Sequence, residues 1–255
     1  MTAIEAEDLP APPPLSAIAR ASLFLDLDGT LAAIEPRPDD VRAEPRRTSL
    51  LKRLAGRLDG RLAVVSGRTL EDVDRILEGA APAAAAVHGL VRRRADWTVV
   101  RVPASPGLAQ ALETARAMAA GRPGLLMEDK GSSFTIHFRQ APGLGPMVKA
   151  SAERLALLHG LKLQGGDMVV ELLTPGCDKG LAVRAFMAEA PFAGSTPVFV
   201  GDDLTDEDGF RAASALDGFG VLAGRMRRTA AGRRLEDVAA VLDWLEAGLA
   251  GDVRP

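Results

Sequence analysis

Asp26 and Asp28 stand two residues apart at the end of a short apolar run, Leu23–Leu27, and lead into Gly29 and Thr30. A strand's period of two turns both carboxylates toward one side. A second acidic group, Asp202, Asp203 and Asp206, follows another apolar run that ends at Val200. Ligands of parallel sheets gather beyond the carboxyl ends of the strands. If both runs belong to one sheet, Asp26, Asp28, Asp202 and Asp206 converge. Two unit charges about 4 Å apart at an effective dielectric of about 20 repel by roughly 4 kcal/mol, so such a cluster persists only with a cation. Oxygen-only ligands suit magnesium better than zinc. Lys179 opens a helix, where a lysine opposes the helix dipole and where anions such as phosphate collect. Singly, an Asp-x-Asp-Gly is most simply a turn and Ser66-Gly67-Arg68 a loop before a helix. In chain order, each at a strand end or helix start, they read together as a site for a phosphate group and a divalent cation.

The elements that must position these residues follow from hydrophobic spacing. Leu50, Leu54 and Leu58 predict a helix over Thr48–Leu58, and Leu62–Val65 reads as a buried strand ending at Ser66-Gly67. Thr69 caps the next helix, with Asp72 three residues on and Val73, Ile76 and Leu77 as its apolar face. Ala83–Val87 is a third strand. This alternation of strand and helix predicts a parallel sheet with crossover helices. From about Pro103 the pattern changes. A helix over Leu108–Ala120 is followed by Leu125–Glu128 and by Ser133–Phe138, where Phe134, Ile136 and Phe138 alternate with Thr135, His137 and Arg139. Such alternation belongs to an antiparallel sheet with one covered face. A helix over Pro146–Leu158 and a strand pair over Leu161–Leu173 follow, with Gly165-Gly166 as the hairpin turn. The parallel pattern returns with a helix over Gly180–Glu189 and strands over Val198–Val200 and Phe219–Leu222. A last helix runs near Leu235–Leu249. The expected organisation is a flexible, proline-rich leader over 1–20, a Rossmann-like α/β core over 21–102 and 173–255, and an inserted α+β cap over 103–172.

Composition narrows the function. Of 255 residues 47% are hydrophobic and 25% charged, enough for a packed core. The net charge of −3 argues against a nucleic-acid or anionic-membrane binder. The longest stretch without Asp, Glu, Lys or Arg, Gly79–Val91, is 13 residues, short of the roughly 20 that a membrane span needs. One cysteine, Cys177, excludes an intramolecular disulfide and a cysteine-rich zinc site, and it reads as a bystander. No secretion signal is visible at the start. The expectation is a soluble, cytoplasmic protein, taken to be a monomer.

Asp26-Leu27-Asp28-Gly29-Thr30, Ser66, Lys179 and Gly201-Asp202-Asp203-Leu204-Thr205-Asp206 resemble, in order, the four motifs of the haloacid-dehalogenase-like phosphatase superfamily. The insertion between the second and third motifs resembles that superfamily's larger cap. Within it the chain is most similar to the trehalose-6-phosphate phosphatase family. The narrower likeness lies in Gly201–Phe210, in Glu128-Asp129-Lys130 with the later His137-Phe138-Arg139, and in Val170-Glu171-Leu172 leading to Lys179. One departure is Val91, where the family commonly has a glutamate. The resemblance implies a nucleophile, Asp26, an acid and base, Asp28, and a phosphate-neutralising Lys179. It implies phosphoryl contacts from Thr30, Ser66 and Gly67, and a Mg2+ held by Asp26, the Asp28 carbonyl and Asp202. Asp203 and Asp206 would position metal waters or Lys179. On the cap, Glu128, Lys130, His137, Arg139 and Glu171 would bind sugar hydroxyls, with closure of the cap over the sugar excluding water. Without the resemblance these five read as a surface ion-pair set.

The substrate the resemblance implies is a small-molecule sugar phosphate, trehalose 6-phosphate. Alternatives are a sucrose-phosphate or mannosyl-phosphoglycerate phosphatase, a phosphohexomutase, or a non-catalytic sugar-phosphate sensor. The last fits poorly with a chain that retains nucleophile, acid and metal site together.

Overall fold

The computed structural model describes residues 8–166 and 168–249. Its strands and helices, in chain order, are β1 (Ala21–Leu25), α1 (Pro45–Arg57), β2 (Leu62–Val65), α2 (Leu70–Leu77), β3 (Ala83–Ala86), β4 (Val91–Arg93), β5 (Val99–Arg101), α3 (Leu108–Ala119), β6 (Leu126–Asp129), β7 (Ser133–His137), α4 (Gly145–His159), β8 (Lys162–Gly166), β9 (Val169–Leu173), α5 (Lys179–Met187), β10 (Thr196–Gly201), α6 (Glu207–Ser214), β11 (Phe219–Ala223), β12 (Arg233–Leu235) and α7 (Val238–Ala247). Two compact units result: the chain up to Val100 and from Asp178 onward, and Arg101–Cys177.

The first unit is α/β, as the alternation predicts. Its sheet runs β12-β11-β10-β1-β2-β3-β4-β5 among the described residues. It is parallel from β12 to β3 and turns antiparallel at β4. Every residue of β1 is buried, because successive side chains enter two different cores. Leu23 and Leu25 meet Leu50 and Leu54 of α1, Ile76 of α2 and Leu245 of α7 on one face. Phe24 meets Val183 and Phe186 of α5 and Phe210 of α6 on the other. Burial on both faces makes such strands read as unbroken apolar runs.

The second unit is an antiparallel sheet, β6-β7-β9-β8, with α3 and α4 on one side. Phe134, Ile136 and Phe138 join Ala111 of α3 and Val148 and Ala152 of α4 in a single core. The residues between them fall on the opposite face. There Glu128, Thr135, Glu171 and Gln164 lie opposite one another across four strands.

Several expectations change. Residues 8–20 are not a loose leader. Leu15 is buried, the Arg234 amide donates to the Pro10 carbonyl at 3.1 Å, and the Trp244 indole donates to the Pro13 carbonyl at 2.9 Å. Prolines keep this stretch from forming more than the short 3-10 turn Leu15–Ala17 but leave their carbonyls as acceptors. Residues 1–7 of that leader lie outside the described residues. Gly165 and Gly166 are not the hairpin turn: they pair with Val170 and Val169 inside the sheet, and the connection falls after Gly166. The last helix starts at Val238 rather than Leu235, since Asp237 caps it by accepting from the Ala240 amide at 2.8 Å. Leu235 instead ends β12.

Candidate active site

Parallel pairing fixes the relation of the two acidic groups. Leu25 of β1 lies opposite Val200 of β10, and the Asp26 amide donates to the Val200 carbonyl at 2.9 Å. Asp26 therefore leaves its strand beside the loop that carries Asp202. Lys179 enters from the first turn of α5, whose Asp178 cap accepts from the Leu181 amide at 2.7 Å. Its Nζ lies 2.8 Å from Asp26 Oδ1 and 2.7 Å from Asp206 Oδ1. Pairing with two carboxylates removes the conflict with the helix dipole that the sequence suggests.

Asp206 is fully buried and organises its own loop. Its Oδ2 accepts from the amides of Asp202 and Asp203, each at 2.9 Å. With Oδ1 on Lys179, both oxygens serve the protein, which suits a positioning role. Asp203 is exposed, and its side chain accepts from the Asp206 amide in a capping box; it braces the loop rather than Lys179. Thr30 is buried and donates to Asp202 Oδ1 at 3.3 Å. Gly29 comes so close that a Cβ there would lie 2.1 Å from Asp202 Oδ2, with φ at +81°. The Asp28–Gly29 turn thus brings main chain against the Asp202 carboxylate.

Asp26, Asp202 and Asp206 each offer an oxygen within 4.8 Å of the others. Three carboxylates against one ammonium leave an excess of negative charge. Burial, and next the charge of Asp206, raise Asp26 well above the usual carboxylate range despite Lys179. The same two causes push Asp202 up to about 7. Burial works against the Lys179 ammonium, but Asp206 and Asp26 outweigh it and hold its pKa well above the ordinary lysine value. An all-oxygen, over-charged site of this kind fits a hard divalent cation.

Asp28 points elsewhere. Arg68 grips its carboxylate with Nε on Oδ2 and Nη2 on Oδ1, and Nη1 donates to the Pro38 carbonyl at 2.9 Å. By sequence Arg68 reads only as loop. Ser66 stands at the end of β2, next to β1, and its Oγ accepts from the Arg68 amide at 3.2 Å. Val87 and His88 brace that loop by donating to the carbonyls of Arg68 and Ser66. A Cβ on Gly67 would lie 2.6 Å from His88 Nε2, so glycine is what lets the ring in. Val91 is buried in β4 opposite Ala86.

Four of the five residues singled out on the second unit meet. Lys130 Nζ lies 3.5 Å from Glu171 Oε1 and 3.9 Å from Glu128 Oε1, and His137 Nε2 lies 3.1 Å from Glu128 Oε2. Ser133, not foreseen, donates to Glu171 at 2.6 Å. Arg139 lies past the end of β7 and is exposed. The side chains of Lys130 and Glu171 are each only 8% exposed, unlike the surface pairs that the alternative reading expects.

The family model described as trehalose-phosphatase matches residues 24–236. The trehalose-6-phosphate phosphatase of Escherichia coli (strain K12) is 40% identical over 242 residues, covering 94% of this chain and 90% of that protein. A probable trehalose-phosphate phosphatase of Sinorhizobium fredii is 35% identical over 205 residues, covering 80% and 77%. Among solved structures, a trehalose-6-phosphate phosphatase related protein superposes with a TM-score of 0.75 at 28% identity, covering 88% of this chain and 95% of that one. A haloacid dehalogenase-like hydrolase from Bacteroides thetaiotaomicron, at 16% identity, shares the fold with a TM-score of 0.65 over 89% of this chain and 98% of that one.

Proposed function

The chain belongs to the trehalose-phosphatase family of phosphatases, and from that premise we propose that it hydrolyses trehalose 6-phosphate to trehalose and phosphate, with Mg2+, through an aspartyl-phosphate on Asp26. The observation that carries this is the buried chain Asp26–Lys179–Asp206, with Asp202 beside it at the ends of β1 and β10.

The Asp26 carboxylate attacks phosphorus, and the bond to the sugar oxygen breaks. Asp28, yielding one of its two bonds to Arg68, gives that oxygen a proton and then takes one from the water that opens the aspartyl-phosphate. A positioned acid contributes on the order of 10²–10⁴ for a poor leaving group, and a carboxylate nucleophile divides one hard displacement into two easier ones. Lys179 neutralises phosphoryl charge while remaining paired with Asp26. Thr30, Ser66 and the Gly67 backbone hold phosphoryl oxygens. Asp26, Asp202 and the Asp28 carbonyl would hold the Mg2+, which when bound screens the repulsion between nucleophile and phosphate. Asp206 keeps the Asp202 amide and Lys179 in place. On the second unit, Glu128, Lys130, His137, Arg139 and Glu171 select the disaccharide through its hydroxyls.

The test is phosphate release with Mg2+ from trehalose 6-phosphate, sucrose 6-phosphate, glucose 6-phosphate and a mannosyl phosphoglycerate. Trehalose 6-phosphate is expected to lead, with Asp26→Asn inactive and EDTA abolishing turnover. A strong preference for glucose 6-phosphate overturns the disaccharide assignment.

A further inference from the structure

Asp202, Asp203, Asp206, Glu207 and Asp208 crowd five carboxylates into seven residues. Lys179 meets this loop from the interior, at Asp206. From the opposite side comes Arg227, in the segment between β11 and β12. Its Nε and Nη2 donate to the Asp202 carbonyl at 3.3 and 3.1 Å, and Nη2 donates to the Asp203 carbonyl at 2.7 Å. Nη1 pairs with Glu207 Oε1 and donates to the Arg228 carbonyl at 3.3 Å. Glu207 is fixed in turn, since its Oε2 accepts from the Ala230 amide at 2.7 Å.

The consequence lies in one peptide plane. The carbonyl of Asp202 and the amide of Asp203 belong to the same planar group. Arg227 holds the carbonyl, and Asp206 Oδ2 holds the amide at 2.9 Å. Turning that plane would break bonds at both poles, and its orientation sets ψ of Asp202 and φ of Asp203. The guanidinium's planar fork can reach two successive carbonyls and a carboxylate at once, which a lysine ammonium cannot match.

We propose that Arg227 is a positioning residue for the cation site: by locking the peptide between Asp202 and Asp203 it presents the Asp202 carboxylate before a metal arrives. Arg227 bonds to the main chain of this loop and to Glu207, and acts on the Asp202 carboxylate through the backbone that carries it. The inference rests on Asp202 as a metal ligand and goes beyond it, naming a residue outside the four motifs that sets the ligand's geometry.

The experiment is calorimetric titration of the full chain with Mn2+ and Mg2+, alongside melting of the metal-free protein. Outer partners of metal ligands typically account for about 10–100-fold in affinity. Arg227→Met is expected to bind metal about tenfold more weakly and Arg227→Lys about threefold. The metal-free protein should still melt cooperatively, with Tm lowered by loss of the Arg227–Glu207 pair but well above the temperature of the titration. Affinity within about twofold of wild type in Arg227→Met overturns the proposal, as does a loss of metal-free stability that accounts for the weaker binding. If Arg227→Met fails to fold, Arg227→Lys and Glu207→Gln decide, and wild-type affinity in both overturns it. Wild-type protein that binds no metal, or Asp202→Asn that binds as well, overturns instead the reading of Asp202 on which the proposal stands.

Discussion

Arg68 holds both carboxylate oxygens of Asp28, Nε to Oδ2 and Nη2 to Oδ1, each at 2.7 Å. Forty residues separate the two in sequence, and the paired geometry fixes the plane of the carboxylate as well as its place. Arg68→Met frees that plane. Turnover of trehalose 6-phosphate should fall about 10–100-fold, less than the roughly 10²–10⁴ at stake in outright loss of a positioned acid, with KM changed little. Arg68→Lys should recover only part, because an ammonium cannot grip two oxygens in one plane. Steady-state kinetics check this; full activity in Arg68→Met would show that Asp28 needs no such hold.

Lys179→Met leaves Asp26 and Asp206 buried without their shared ammonium. Removing one partner of a buried ion pair costs about 3–5 kcal/mol, and loss of an electrostatic donor to the phosphoryl group costs about 10²–10³ in turnover. Denaturant unfolding and kinetics should therefore both report the change. Unaltered stability would contradict the pairing.

The raised carboxylates set a pH dependence. With Asp202 at about 7 and Asp26 raised beyond the usual range, the folded protein keeps protons that an unfolded chain, titrating near 4, has lost. For the metal-free protein the resulting penalty is absent below about pH 4 and grows as pH rises toward 7. A cation binds the ionised carboxylates, so the stabilisation it brings grows over the same interval. The difference in Tm between protein in Mg2+ and protein in EDTA should widen from about pH 5 through about pH 7. A difference that narrows with rising pH would count against the cluster as the binding site.

Gly29→Ala tests the close approach of the first motif to Asp202. The added methyl would sit 2.1 Å from Asp202 Oδ2, at a φ of +81°, where a side chain adds about 1–2 kcal/mol of strain. Metal affinity should drop by about 100-fold. Calorimetry with Mn2+ that finds wild-type affinity would refute the contact.

Glu171→Gln removes charge without volume beside Lys130 and Ser133. KM for trehalose 6-phosphate should rise about 10-fold or more, the scale of a lost hydrogen bond to a charged group. Turnover of p-nitrophenyl phosphate, which has no sugar, should stay within about twofold of wild type. Equal losses on both substrates would move Glu171 from selection to folding.

Much of this could be read from the chain because strand ends are marked by abrupt changes of residue type. Apolar runs ending in Asp26-Leu27-Asp28 and in Gly201-Asp202-Asp203 placed the acids at one edge of a sheet. The alternation around Phe134 separated the second sheet's core face from its polar face. The two arginines were invisible because their partners lie 40 and 25 residues away and are, for Arg227, main-chain carbonyls that no residue type advertises. Three-residue strands such as β4, β5 and β12 carry too little periodicity to register. The double glycine at 165–166 resembles a turn by type, yet the register with Val169 and Val170 overrode it.

The segment before β1 closes the far margin of the larger sheet. Strand β12 is outermost there, and Pro10 takes the Arg234 amide while Asp8 takes its guanidinium. Shortening the protein to begin near Ser22 would strip that cover and leave a bare strand, the kind of surface through which neighbouring molecules zip together. Anyone trimming the proline-rich start for crystals or fusions should keep the stretch from Asp8 onward, or expect precipitate where a clear solution was wanted.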